Sequence, residues 1–145
     1  MRLLPILALT ALLLPVPAPA TAVTRRPSTA GLPSFAAAYR DTTTRMLAAG
    51  CPYAAWAAQG RRFLLFDPAG DGRAVEVLGD LSTANRVAVL VPGVDTRLAD
   101  FDRGLGGVPR RAPGTQARAL WAQLSKRSPD VAVVAWLGYD PPEGL

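Results

Sequence analysis

An α/β fold, built as a β-hairpin followed by a βαβ unit of a mostly parallel sheet, is predicted by three features of the sequence. Two short apolar segments flank the turn-rich stretch Asp67-Pro68-Ala69-Gly70-Asp71-Gly72, the arrangement of a hairpin. Two later segments, Arg86 to Val91 and Val131 to Leu137, are apolar without alternation, which marks strands covered on both faces. Between them Ala117, Leu120, Trp121 and Leu124 recur at i, i+3, i+4, i+7, the spacing of an amphipathic helix. Strand, helix, strand in that order is a βαβ unit.

The chain of 145 residues allows one domain, and it opens on a segment with a different character. Met1-Arg2 is followed by the apolar run Leu3 to Leu14, by Pro15, Pro17 and Pro19, and by the small residues Ala18, Ala20 and Ala22. Charge, short apolar stretch and small-residue exit are what signal peptidase reads, so residues 1–22 are expected to be a signal peptide and the protein to be secreted. The run falls short of the about 20 residues that span a bilayer, so no stable membrane anchor is expected. Residues 23–33 read as a disordered leader.

Residues 34–61 form a helical segment. Ser34 stands at an N-cap position after Pro33, Gly50 stands at a C′ position, and Phe35, Ala38, Tyr39, Met46 and Ala49 fall largely on one face. A second short helix over Pro52 to Gln59 carries Tyr53 and Trp56, which are expected to be core. From residue 62 the strands begin. Phe63-Leu64-Leu65-Phe66 and Ala74-Val75-Glu76-Val77-Leu78 make the hairpin. Its Asp67, Asp71 and Gly72 do not form an EF-hand loop, because Ala69 and Leu78 stand where oxygen ligands are needed. The strand from Arg86 ends at Pro92-Gly93, and a long glycine-rich loop from Val94 to Gly114 leads to the helix, which stops near Lys126-Arg127 and Pro129.

Composition removes several function classes. The formal charge is +5, but the arginines come as scattered pairs (Arg25-Arg26, Arg61-Arg62, Arg110-Arg111) without a dense basic run or interleaved aromatics, so no nucleic-acid partner is predicted. There is no histidine, which excludes a complete Ser-His-Asp or Cys-His site within these residues. Cys51 is the single cysteine and has no partner for a disulfide in the chain. Gly104-Leu105-Gly106-Gly107 is not a phosphate loop: Pro109 stands at the third-glycine position and no Lys-Ser/Thr follows, so it reads as a mobile loop. No metal and no cofactor are predicted.

The turn Val91-Pro92-Gly93-Val94-Asp95-Thr96 is the most specific chemical feature. Ligands of open α/β sheets bind beyond the carboxyl ends of the strands, and Pro-Gly there brings bare backbone N–H groups to that edge. The same residues are equally readable as a plain strand-ending turn.

The stretch Asp71 to Gly104 and the later Val131 to Leu145, with their paired signatures Val-Pro-Gly and Trp-Leu-Gly-Tyr-Asp-Pro, resemble an actinobacterial family of α/β-hydrolases first catalogued as a domain of unknown function. The resemblance covers roughly residues 62–145 and implies the N-terminal half of an α/β-hydrolase domain. It implies a serine nucleophile in a Gly-His-Ser-Tyr-Gly elbow downstream of the Trp-Leu-Gly-Tyr-Asp loop, so the partial fold is expected to stop before the elbow. In this family's fold the loop after the equivalent strand donates an N–H to the oxyanion hole. By that resemblance the Val94 backbone N–H is the oxyanion-hole candidate, with Gly93 permitting close approach and Asp95 shaping the loop. Tyr139 and Asp140 are candidates for the substrate cleft, or equally for structural loop positions. Ser82, Ser125 and Ser128 sit in no elbow and read as turn or helix-end residues.

The expected function is thus that of an N-terminal fragment of a secreted serine hydrolase cleaving a small-molecule ester or amide by acyl transfer. The alternatives are a non-catalytic secreted protein, or a truncated gene product, retaining part of the scaffold. The chain alone is expected to be inactive. The final strand is expected to be an exposed apolar sheet edge.

Overall fold

A computed structural model of the chain describes residues 34–140 and Pro142. The expected signal peptide and leader lie outside the described residues.

Helix α1 (Phe35–Ala48) starts where Ser34, in extended conformation, accepts the Ala37 N–H on its Oγ at 3.2 Å. It is followed by Gly50 at φ +74°, the left-handed C′ position that glycine fills without strain. Helix α2 (Tyr53–Ala58) is brief and places Trp56 in the core. Strands β1 (Arg62–Asp67) and β2 (Arg73–Leu78) form the predicted hairpin. Strand β3 (Arg86–Leu90), helix α3 (Pro113–Leu124) and strand β4 (Val131–Leu137) form the predicted βαβ unit.

The strand order is β1-β2-β4-β3. Only β3 and β4 pair in parallel, while β1–β2 and β2–β4 are antiparallel, so the sheet among the described residues is mixed. This order corrects the expectation that the last strand lies at an edge. β4 is flanked on both sides, by β2 and β3, and Val131 to Ala135 are buried. The apolar edge is β3 instead. The reason is topological: the crossover through α3 carries the chain over to the far side of the hairpin's partner position, so the later strand fills the gap between β2 and β3.

The sheet has two unequal faces. On one, Phe63, Phe66, Ala74, Val133, Ala135 and Leu137 pack with Trp56, Leu98, Phe101 and Ala117. Trp56 stacks on Phe63 with ring centroids 5.9 Å apart, and Phe101 lies 5.8 and 6.0 Å from those two rings. The stripe Ala117, Leu120, Trp121, Leu124 of α3 covers this face as its periodicity predicts. On the other face Val75, Val77 and Val134 pack with Tyr39, Leu64 and Leu65 beneath α1. Buried Thr42 ties α1 to β1 by donating from Oγ1 to the Phe63 carbonyl at 2.5 Å. Register places Val87 beside Ala132 and Val89 beside Val134 on this same face, yet Val87 and Val89 are 49% and 56% exposed. Among the described residues nothing covers the sheet there.

The loop after β3 is folded rather than open. It runs through three short 3₁₀ turns, Leu98–Asp100, Leu105–Gly107 and Pro109–Arg111, and buries Leu98 and Phe101. Gly104, at φ +79°, lies against the Val108 carbonyl where a side chain would overlap it. The glycine-rich stretch expected to be a mobile loop is thus a packed turn, with the Gly107 N–H donating to the Gly104 carbonyl at 2.8 Å.

Candidate functional site

Because β3 and β4 run parallel, their carboxyl ends open on the same edge of the sheet, and the loops that follow them meet. The Tyr139 hydroxyl donates to the Pro92 carbonyl at 2.6 Å. The Asp95 N–H donates to the Pro142 carbonyl at 3.1 Å. Asp95 has φ +58°, the one non-glycine in the left-handed region among the described residues. A residue held there costs about 1 kcal/mol or more and persists only where its surroundings fix it, as the cross-loop bond does here.

These constraints leave a particular pattern of donors. The N–H of Asp95 is committed, whereas those of Gly93 and Val94 meet no acceptor among the described residues. Val94 is 52% exposed, and Gly93 is exposed too, with open space where a Cβ would stand. Two neighbouring residues at the end of β3 are therefore exposed and keep their N–H groups uncommitted. They line a cleft of about 300 Å³ together with Val91, Pro92, Leu105 and Arg111.

Among the described residues, four of the five residues singled out from the sequence divide between two cavities. Gly93 and Val94 line the cleft at β3, and Asp95 is in the lining of neither this cleft nor the second cavity. Tyr139 and Asp140 line a separate depression of about 280 Å³ against the hairpin turn, with Asp67, Asp71 and Arg73. Two of that depression's carboxylates are already paired, Asp67 with Arg73 at 2.7 Å and Asp71 with Arg97 at 3.2 Å. The hydrogen bonds from Arg73 and then from the Ala69 N–H hold the Asp67 carboxyl below its usual pKa. No group of three or more potential metal ligands is assembled among the described residues.

Sequence reasoning missed the most heavily hydrogen-bonded side-chain cluster among the described residues. Glu76, on β2, accepts from Arg61 through both carboxylate oxygens at 2.7 and 2.8 Å, and from Arg118 of α3 at 3.4 Å. Asp102 accepts from Arg61 at 2.5 and 3.1 Å and from Arg118 at 2.9 Å. Two guanidinium and two carboxylate groups thus balance, with the Glu76 side chain only 3% exposed. Arg61 also lies over the Trp56 ring, 4.5 Å from its centroid. Burial alone would lower the Arg61 pKa, but hydrogen bonds to Glu76 and Asp102 reverse this and raise it. Burial would likewise raise the Asp102 pKa, and its bonds to Arg61 and Arg118 instead lower it. The cluster joins the α2–β1 connection, the hairpin, the β3–α3 loop and α3. A glutamate amid the apolar residues of a strand was the one available signal for it.

No described side chain is arranged as a nucleophile with a base. Ser82 donates from Oγ to Asp80 at 2.6 Å inside a turn, Ser125 caps α3, and Ser128 bonds Asp130. Cys51 is exposed, and the chain contains no histidine.

A mixed sheet, helices on its faces and free amides beyond a strand's carboxyl end define an α/β protein with a strand-end site. The chain belongs to the α/β hydrolase family, whose model matches residues 67–145. It is similar to uncharacterized proteins of Mycobacterium tuberculosis and Mycobacterium bovis, 37% identical over 93 residues, a match covering 59% of this chain and 34% of each relative. The chain thus spans about a third of the length of these curated relatives. No solved structure gives a significant match.

Proposed function

We propose that this chain is the N-terminal part of a secreted serine hydrolase that cleaves esters or amides by acyl transfer, with the Pro92-Gly93-Val94 turn forming one side of its oxyanion hole. The observation that carries this reading is the pair of uncommitted N–H groups on Gly93 and Val94, braced from behind by Tyr139. Amides fixed before the reaction cost no reorganisation when a carbonyl oxygen gains negative charge, which is how such donors lower the barrier. They polarise a carbonyl but form no acyl-enzyme, so a nucleophile and base must come from sequence beyond Leu145. The lack of histidine in these residues fits that division.

Secretion is proposed from the charge, apolar run and A-x-A pattern of residues 1–22. No helix among the described residues is long and apolar enough to cross a membrane. The mature N-terminus should fall near Val23.

The test is to express the full-length protein, measure turnover of p-nitrophenyl butyrate and label it with a fluorophosphonate. Turnover and one labelled serine beyond residue 145 are expected. A folded, exported full-length protein with neither would leave the non-catalytic scaffold as the better description.

A further inference from the structure

We infer that Arg111 makes this cleft selective for substrates bearing an anionic group, a carboxylate or phosphate, close to the bond that is cleaved. The inference rests on the proposed role of the Gly93 and Val94 amides and goes beyond it to the class of substrate.

The cleft beside those amides, about 300 Å³, has walls of Val91, Pro92, Val94 and Leu105, and Arg111 is its single charged lining residue. A volume of that size holds a small ligand. Of the other cations of this region, Arg97 is paired with Asp71 at 3.2 Å, Arg118 belongs to the Glu76–Asp102 cluster, and Arg103 and Arg110 lie outside the cleft lining. Arg111 makes no ion pair or hydrogen bond through its guanidinium among the described residues. No acidic residue is in the cleft lining; Asp95, Asp100 and Asp102 of the same loop, and Asp140 of the other, all lie outside it.

Helix α3 begins at Pro113, two residues after Arg111, and its N-cap Ala112 supplies no side-chain acceptor. Its positive end is met by the Phe101 carbonyl, which accepts the Gly114 N–H at 2.9 Å, and by the Asp102 carboxylate against Gly114, so it adds no charge to the cleft. Gln116, also in the lining, has its Nε2 occupied by the Arg110 carbonyl. A cleft of mixed lining with one planar, unpaired guanidinium recognises a small acyl or leaving group that ends in a carboxylate or phosphate, which the fork can grip through two N–H groups.

The test compares matched esters on the full-length protein: p-nitrophenyl hemisuccinate (anionic acyl group) and 3-acetoxy-4-nitrobenzoate (anionic leaving group), against p-nitrophenyl butyrate and acetate. At least one anionic ester should exceed its neutral counterpart in kcat/KM by about tenfold, the scale of a charge-assisted bond discounted for an open cleft. In Arg111→Gln that ratio should fall to near one, while Arg111→Lys should retain most of it. Turnover of the neutral esters with no preference for either anionic ester, or a preference that survives in Arg111→Gln, would overturn the inference while leaving the hydrolase proposal standing. If no ester is hydrolysed at all, the hydrolase proposal itself fails and takes this inference with it.

Discussion

The substitution Glu76→Gln isolates the contribution of charge balance to this fold. It keeps the shape of a side chain that is 3% exposed but removes one of two negative charges facing Arg61 and Arg118. Arg61, whose own side chain is 10% exposed, would keep only Asp102, and a cluster of zero net charge would carry an unpaired positive charge. Removing one partner of a buried pair costs about 3–5 kcal/mol, because the remaining charge is left in a poorly solvating site. That is a large part of the total stability of an ordinary domain, about 5–15 kcal/mol. At about 2–4 °C per kcal/mol for a domain of roughly 150–250 residues, Tm should fall by about 6–20 °C. Circular dichroism melts of the full-length protein measure this directly. The double variant Glu76→Met with Arg61→Met leaves Asp102 balanced by Arg118, and should cost less than the single change. A Glu76→Gln protein melting within about 2 °C of wild type would refute the argument. So would a double variant less stable than the single one, since it would mean that packing, not charge balance, governs the site.

Three further outcomes follow from the same structure. Tyr139→Phe removes the bond to the Pro92 carbonyl, and in the full-length enzyme it should lower kcat about tenfold through lost positioning, with KM little changed. A raised KM with kcat intact would instead make Tyr139 a substrate-contacting residue. Asp102 has its pKa lowered in the fold, so its stabilisation is complete above the ordinary carboxylate value of about 3.9 and is lost as pH falls below that toward its folded pKa. Melts from pH 5 to pH 2 should show Tm falling less steeply in Asp102→Asn than in wild type, and parallel curves would contradict this. Finally, residues 23–145 produced alone should self-associate through β3 and the face bearing Val87 and Val89, and Val89→Lys should shift size-exclusion profiles toward monomer. A monodisperse monomer without the substitution would show that this edge does not recruit partners.

What the amino-acid sequence determined by itself was local. Periodicity placed α3, although its start at Pro113 preceded the first apolar repeat residue, and the turn formers of Asp67 to Gly72 placed the hairpin. Ser34 and Gly50 marked the ends of the first helix because capping is a matter of a few neighbouring backbone groups. The exposed Pro92-Gly93-Val94 turn was legible for the same reason: a strand that stops at Pro-Gly leaves bare amides whatever surrounds it. The tertiary structure alone decided which strands became neighbours. Apolar strands such as Val87 to Leu90 and Val131 to Leu137 look alike in sequence, and only pairing with β2 buried the second and left the first at the edge. It alone brought Arg61, Glu76, Asp102 and Arg118 together, residues spread over two elements and two loops whose charges have no local reason to meet. It also turned Tyr139 from a residue of the opening into the brace behind it. That hydrogen bond spans 47 positions of sequence, and no periodicity reaches so far.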